Sequence, residues 1–211
     1  MLRYRRLLRI GIRPTLIALQ AKRRHDAKQK LLEFAELLSL VDKPSVVVEI
    51  GTLRGGTLWA WTRVAAPDAL IVSIDLPGGS FGGGYLEADM DRLRAYARAN
   101  QQVELLRADS HSPQTLNRLE SLLAGREIDV LFIDGDHSYE GVGTDYNLYS
   151  PLVKQSGMVV FHDVLPHPSW PDCQVHRFWN EIKNSSRHAE LVDRSDLWGG
   201  IGVLFHAQGS P

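Results

Sequence analysis

The run Val46-Val47-Val48-Glu49-Ile50-Gly51-Thr52-Leu53-Arg54-Gly55-Gly56-Thr57 constrains the fold more than any other part of the chain. An apolar stretch that ends in an acid and breaks into glycines predicts a buried strand, a tight turn and a helix. Strand-like runs recur at 70–74, 103–107, 128–133 and 158–161. Helical patterns separate them, at about 57–64, 87–100, 113–124 and 139–152. Such alternation predicts an α/β architecture, a Rossmann-like parallel sheet with helices on both faces. Beyond a proline-rich loop the pattern changes. A helix around 175–183 precedes two short strands, near 190–192 and 202–205, close enough to pair as an antiparallel hairpin.

A length of 211 residues and a net charge of −1 lead us to expect one domain with a sizeable core. Neutrality gives no argument for a nucleic-acid partner, and no apolar run reaches the ~18 to 20 residues that span a bilayer. Cys173 is the single cysteine, which leaves no internal disulfide or thiolate cluster. A soluble, cytoplasmic protein is the expectation. The N-terminus departs from the average, because Arg3, Arg5, Arg6, Arg9, Arg13, Lys22, Arg23 and Arg24 are interleaved with Leu2, Leu7, Leu8, Ile10, Leu16, Ile17 and Leu19. This reads as a basic amphipathic segment that Pro14 is expected to break or kink. A solvated arm or oligomer contact is the leading reading, ahead of anionic-membrane contact or a lid over an acidic substrate. Leu31, Phe34, Ala35, Leu37 and Leu38 then predict an opening helix over 26–41, stopped by Asp42-Lys43-Pro44. Residues 1–44 are accordingly read as arm plus opening helix, and 45–211 as the ligand-binding domain.

Glycines at 51, 55 and 56 allow close approach of a ligand to the backbone and to helix N-terminal amides. The spacing is not the dinucleotide G-x-G-x-x-G, since position 53 is Leu, and Glu49 would repel a pyrophosphate. An acid there suits a cationic ligand such as S-adenosylmethionine, with its sulfonium and ammonium. The alternative is that Gly51 and Gly55 only shape a turn. Asp75, closing the second strand, is placed to accept two hydrogen bonds from a ribose, with Leu76 beside it and Thr52 in the turn. Asp109 and Ser110 fall where an adenine edge would lie, although Asp109 could equally make an Asx turn. The Gly-rich loop 77–84 is expected to be a mobile flap.

The densest polar cluster is Asp134, Asp136 and His137 after one strand with His162 and Asp163 after the next. Carboxylates converging at a sheet edge favour a hard divalent ion such as Mg²⁺, and histidine admits Mn²⁺ or Fe²⁺. The alternative has Asp136 capping a helix and His162 bonded within its loop. His137 is the candidate general base, or else a ligand or a solvent-facing helix-start residue.

Taken together, Val-Glu-Ile-Gly-Thr-Leu-Arg-Gly-Gly-Thr at 48–57, Asp-Leu-Pro-Gly-Gly at 75–79, Phe-Ile-Asp-Gly-Asp-His-Ser-Tyr-Glu-Gly-Val at 132–142, Phe-His-Asp-Val at 161–164 and Trp-Gly-Gly-Ile-Gly-Val-Leu at 198–204 resemble a known family. It is that of the class I S-adenosylmethionine-dependent methyltransferases. The resemblance is strongest to the metal-associated branch of sugar and macrolide O-methyltransferases and cephalosporin hydroxylase-like proteins. It implies a seven-stranded sheet with a terminal antiparallel strand and cofactor contacts at Glu49, Gly51, Asp75 and Asp109. It also implies a metal held by Asp134 or Asp136 with His162-Asp163, where an imidazole stands in for the first acid of the family's pair. The implied reaction is in-line methyl transfer to an oxygen of a small hydroxylated acceptor, a sugar, polyol or phenol, recognised by the 165–174 loop and the arm. A nicotinamide oxidoreductase and a non-catalytic binding module are the alternatives.

Overall fold

The computed structural model describes residues 9–78, 81, 83–98, 100–193 and 198–206. Leu2, Arg3, Arg5, Arg6, Leu7 and Leu8 of the basic segment, and Gly79, Ser80 and Gly82 of the expected flap, lie outside the described residues. Among those described, seven strands form one sheet: β1 (Val46–Ile50), β2 (Leu70–Asp75), β3 (Gln102–Arg107), β4 (Ile128–Ile133), β5 (Val153–Leu165), β6 (His188–Leu191) and β7 (Gly199–Phe205). Their order is β3-β2-β1-β4-β5-β7-β6. The first five run parallel, and β7 runs against both of its neighbours. The expected mostly parallel sheet with a C-terminal antiparallel strand is therefore the fold observed.

Strand side chains alternate between two cores, as a period of two requires. Val47, Ile71, Val130 and Val160 pack under α1 (Ile12–His25), α2 (Leu31–Leu40), α3 (Gly56–Val64) and α4 (Met90–Arg94). Val48, Val72, Leu131 and Val159 pack under α5 (Pro113–Leu123), α6 (Tyr139–Tyr149) and α7 (Val175–Ile182). Both faces are covered, so the central strands lack a polar side and read as continuous apolar runs. Trp61, fully buried, stands edge-on to Phe34 at 6.5 Å and Phe132 at 5.9 Å, tying α3 to α2 and β4.

Several elements differ from the sequence expectation. Pro14 does not break α1, because it lies in the first turn, where its missing N–H has no partner to lose. The helix expected from residue 26 starts only at Leu31, since Asp26 takes a left-handed φ of 60° and ends α1. Residues 26–30 instead connect α1 to α2. The helix expected over 87–100 contracts to a 3-10 turn at Glu87–Asp89 and the short α4. Buried Gln101 explains where it stops: its side chain accepts from Arg98 N and donates to the Thr62 and Ala66 carbonyls, fixing the following turn to the end of α3. β5 is longer than expected and carries an irregularity between His162 and Leu165.

Candidate active site

β1 and β4 lie side by side, yet the chain leaves them toward opposite edges of the sheet, which opens a crevice at their C-terminal ends. A cavity of about 410 Å³ fills it, bounded by the ends of β1, β2, β4 and β5. Gly51 forms its floor. Its N–H donates to Ile74 O at 2.9 Å, while Asp134 N donates to Ile50 O at 2.8 Å, so three strand ends are cross-linked at one point. Gly51 has φ +85, and a Cβ there would fall 2.0 Å from the Asp134 carbonyl oxygen. Only glycine meets both demands.

The other expected cofactor contacts distribute unevenly. Thr52, Asp75, Leu76, Asp109, Ser110 and Asp134 all line the cavity. Asp75 Oδ2 accepts from Thr52 N at 2.8 Å and Leu53 N at 2.7 Å, which aims the carboxylate into the crevice. Burial raises its pKa, against those amide bonds. Gly84 closes on it, since a Cβ at that position would sit 2.6 Å from Asp75 Oδ1. Asp109 Oδ1 accepts from His111 N at 2.9 Å, so it makes an Asx turn while still facing the cavity. Gly55 stands behind the wall, packed toward Leu93.

Glu49 is also set back. It is 0% exposed, does not line the cavity, and its Oε2 accepts from the Thr52 hydroxyl at 2.8 Å. Thr52 Oγ1 in turn lies 2.6 Å from Ser73 Oγ, completing a buried polar chain beneath the floor. Burial pushes the Glu49 carboxyl up to about 8, with the Thr57 and Thr52 hydroxyls opposing the rise. The folded state therefore favours its protonated form. The stability this contributes is complete below the ordinary value of 4.5 and is lost as pH rises toward 8. Glu49→Gln is expected to flatten that loss, worth about 1.4 kcal/mol per pH unit at most. Melting temperatures of the two proteins, compared from pH 5 to pH 8.5, should diverge in favour of the variant as pH rises.

At the far end of the cavity, Asp134, His137, His162 and Asp163 converge, with one donor atom of each within 4.8 Å of all the others. His162 Nδ1 lies 3.0 Å from Asp134 Oδ1 and 3.3 Å from Asp163 Oδ2. His137 Nε2 lies 3.3 Å from each of the same two oxygens. Neighbouring residues of a regular strand point to opposite faces, so His162 and Asp163 should not meet. They meet because Asp163 adopts φ +59 at the irregularity in β5, which turns both side chains the same way. Burial disfavours charge on His137, but the Asp134 and Asp163 carboxylates override it and lift the pKa to about 9. The same acids raise His162, and His162 holds Asp163 below the usual carboxylate range despite burial.

The four carboxylate–imidazole separations of 3.0 to 3.3 Å are those that adjacent donors take at about 2.0–2.2 Å from one divalent ion, so small side-chain adjustments would let the group share such an ion. Asp136, expected to join this set, stands apart. Its Oδ1 accepts from Ser138 N at 2.8 Å in the turn before α6, while the cap itself is Ser138, whose hydroxyl accepts from Gly141 N at 3.0 Å.

Gln29 was not legible as a site residue. Its Nε2 donates to Asp134 Oδ2 at 2.7 Å from the connector before α2, which reaches the cavity because Gly56 lets Ala27 pass against α3. Phe81 and Trp170 flank the His137 ring at 5.4 and 5.1 Å, and His167 and Trp198 line the same end. His176, which follows the 165–174 loop in the first turn of α7, does not line the cavity.

Comparison with known proteins places this geometry. Residues 48–164 match the family described as a methyltransferase domain. An uncharacterized protein, R132, of Acanthamoeba polyphaga mimivirus is 56% identical over 116 residues, covering 55% of this chain and 50% of that protein. The chain thus spans about half the length of this relative. The O-methyltransferase of Bacillus cereus, solved with SAH, superposes with a TM-score of 0.58 at 18% identity, over 92% of this chain and 91% of that one. MycE of the mycinamycin biosynthetic pathway, solved with Mg, SAH and mycinamycin VI, superposes with a TM-score of 0.61 at 13% identity, over 95% and 57%. The chain belongs to the methyltransferase domain family and is built on the fold of S-adenosylmethionine-dependent methyltransferases.

Proposed function

We propose that this methyltransferase transfers a methyl group from S-adenosylmethionine to a hydroxyl oxygen of a small sugar, polyol or phenol, with help from a divalent ion. The observation that carries the reading is the occupancy of one cavity by two halves. One is the Gly51–Asp75–Ser110 wall and the other the Asp134–His137–His162–Asp163 group. The structures solved with SAH, and with Mg and mycinamycin VI in MycE, support it.

In this reading S-adenosylmethionine supplies the electrophilic methyl, and an ion held by Asp134, His162 and Asp163 supplies Lewis acidity toward the acceptor. Asp75, with Oδ2 already engaged by Thr52 and Leu53 amides, offers its remaining lone pairs to ribose hydroxyls. Gly51 and Thr52 bring backbone close to the amino-acid end, with neutral Glu49 behind them, and Gly55 keeps the turn compact. Asp109 and Ser110 face the base. Leu76 supplies an apolar edge. His137 accepts the acceptor's proton, because the carboxylates of Asp134 and Asp163 stabilise the imidazolium so formed. With a cation held by Asp134, His162 and Asp163, the His137 pKa would fall from about 9 and leave its imidazole neutral for that role. Phe81, Trp170 and Trp198 exclude water and offer ring faces to a sugar or phenol. Residues 45–211 form the cofactor-binding domain, and 1–44 contribute Ala27 and Gln29 to its wall.

The test is calorimetric titration of S-adenosylmethionine into wild type and Asp75→Ala, with Mg²⁺ or Mn²⁺ and after chelation. Asp75→Ala should weaken binding by at least about tenfold, the worth of one lost charge-assisted hydrogen bond. Absence of binding in wild type under every condition overturns the reading.

A further inference from the structure

We propose that the exposed face of α1 is a docking surface for an anionic lipid bilayer. The first 25 residues hold eight of the chain's 24 basic side chains and none of its 25 acidic ones. The remainder is left with 16 bases against 25 acids, so the near-neutral total conceals strong charge segregation. Such a chain is oriented by a charged surface even though its net charge is small.

α1 buries Ile17, Ala18 and Ala21 and presents Ile12, Arg13, Leu16, Gln20 and Arg23 outward, with Arg9 exposed just before it. Ile12 is 81% exposed and Leu16 51%. Four residues apart, they share one face of the helix. Together with Arg13, Arg63 and Arg98 they border a shallow groove. Arg13 Nη2 donates to Arg63 O at 3.1 Å and Arg98 Nη1 reaches the same carbonyl at 3.5 Å, so three guanidinium-bearing chains gather around two bare aliphatic side chains. Among the described residues no carboxylate forms an ion pair with any of the three.

The mixture selects the occupant. A nucleic acid would satisfy the guanidiniums with phosphates but leave Ile12 and Leu16 in water. A second copy of the same face would oppose like charges. The interface of an anionic bilayer takes both, phosphates meeting the arginines and the acyl boundary meeting the aliphatics, as for helices lying in the interfacial plane. α1 continues into the connector that carries Ala27 and Gln29 into the cavity wall, so the docked face and the site belong to one continuous segment.

The experiment is co-sedimentation of the full chain with vesicles of phosphatidylcholine alone or containing phosphatidylglycerol, at low and high salt. Binding to the anionic vesicles should exceed binding to the neutral ones by at least about tenfold and fall with salt. The Ile12→Ser/Leu16→Ser pair and Arg13→Glu should each lose it with unchanged melting temperature, since these side chains are exposed. Equal binding to both vesicles, no binding to either, or undiminished binding by the variants overturns the proposal. Retention on duplex DNA that matches anionic vesicles at the same salt would assign the face to nucleic acid instead. A dimer in light scattering that the Ile12→Ser/Leu16→Ser pair dissolves would assign it to self-association.

Discussion

Gly51→Ala is expected to destabilise the protein by about 3 kcal/mol or more and to eliminate cofactor binding. Two costs coincide at this position. A φ of +85 is unfavourable for any residue with a Cβ, and that Cβ would be driven to 2.0 Å from the Asp134 carbonyl oxygen. Relief requires β1 and β4 to separate, which breaks the Asp134 N to Ile50 O bond and displaces Asp134 itself. For a chain of this size the loss corresponds to a fall in Tm of roughly 6–12 °C. Gly125→Ala separates the two costs. Gly125 has φ +82 but nothing within 4 Å of its added carbon, so only the backbone penalty of about 1–2 kcal/mol applies and ligand binding should be unchanged. Thermal unfolding and calorimetric titration of both variants check this. Equal behaviour of the two would show that the contact with Asp134 does not matter.

What the sequence reveals at this site follows from which interactions are local. Val46–Ile50 and Ile128–Ile133 are strands by their apolar composition, and Gly51 and Asp134 are named as site residues simply by ending them. Asp75 is legible for the same reason. The 87–100 segment is misread because its helical periodicity is overridden by Gln101, whose bonds go to Thr62 and Ala66, more than thirty positions away. Gln29 reaches Asp134 across 105 positions through a connector that periodicity assigns to a helix. No spacing rule carries that information. Glu49 shows a subtler limit: its position at the end of β1 is right, but the pleat turns it under the floor, toward Thr52 and Ser73, rather than into the cavity. The convergence of His162 with Asp163 depends on a left-handed aspartate, which nothing in Phe-His-Asp-Val announces.

That left-handed residue makes Asp163→Asn the informative substitution in the Asp134–His137–His162–Asp163 group. Asparagine tolerates φ near +59 and fills the same space, so the backbone of β5 should survive while one of two carboxylates becomes neutral. Divalent-ion affinity, read by titration of Mn²⁺ or Mg²⁺, is expected to fall by at least about tenfold, because a carboxylate donor is lost from a site that has only two. S-adenosylmethionine affinity should stay within about threefold, since Gly51 and Asp75 are untouched, whereas methyl transfer should be lost. Asp136→Asn is the control: its Oδ1 is engaged by Ser138 N and it lies outside the group, so ion affinity should hold. The pH dependence supplies an independent check. Without an ion, Asp134 and Asp163 keep His137 protonated up to about 9 and raise His162 as well, so an ion that uses these imidazoles must displace their protons. Affinity in the wild type should therefore climb from pH 6 toward pH 9, with proton release visible as a dependence of the titration heat on buffer. In Asp163→Asn both imidazoles lose a neighbouring negative charge, their pKa values fall, and the climb should shift to lower pH. A pH-independent affinity in the wild type would mean that the ion, if it binds, does not engage His137 or His162.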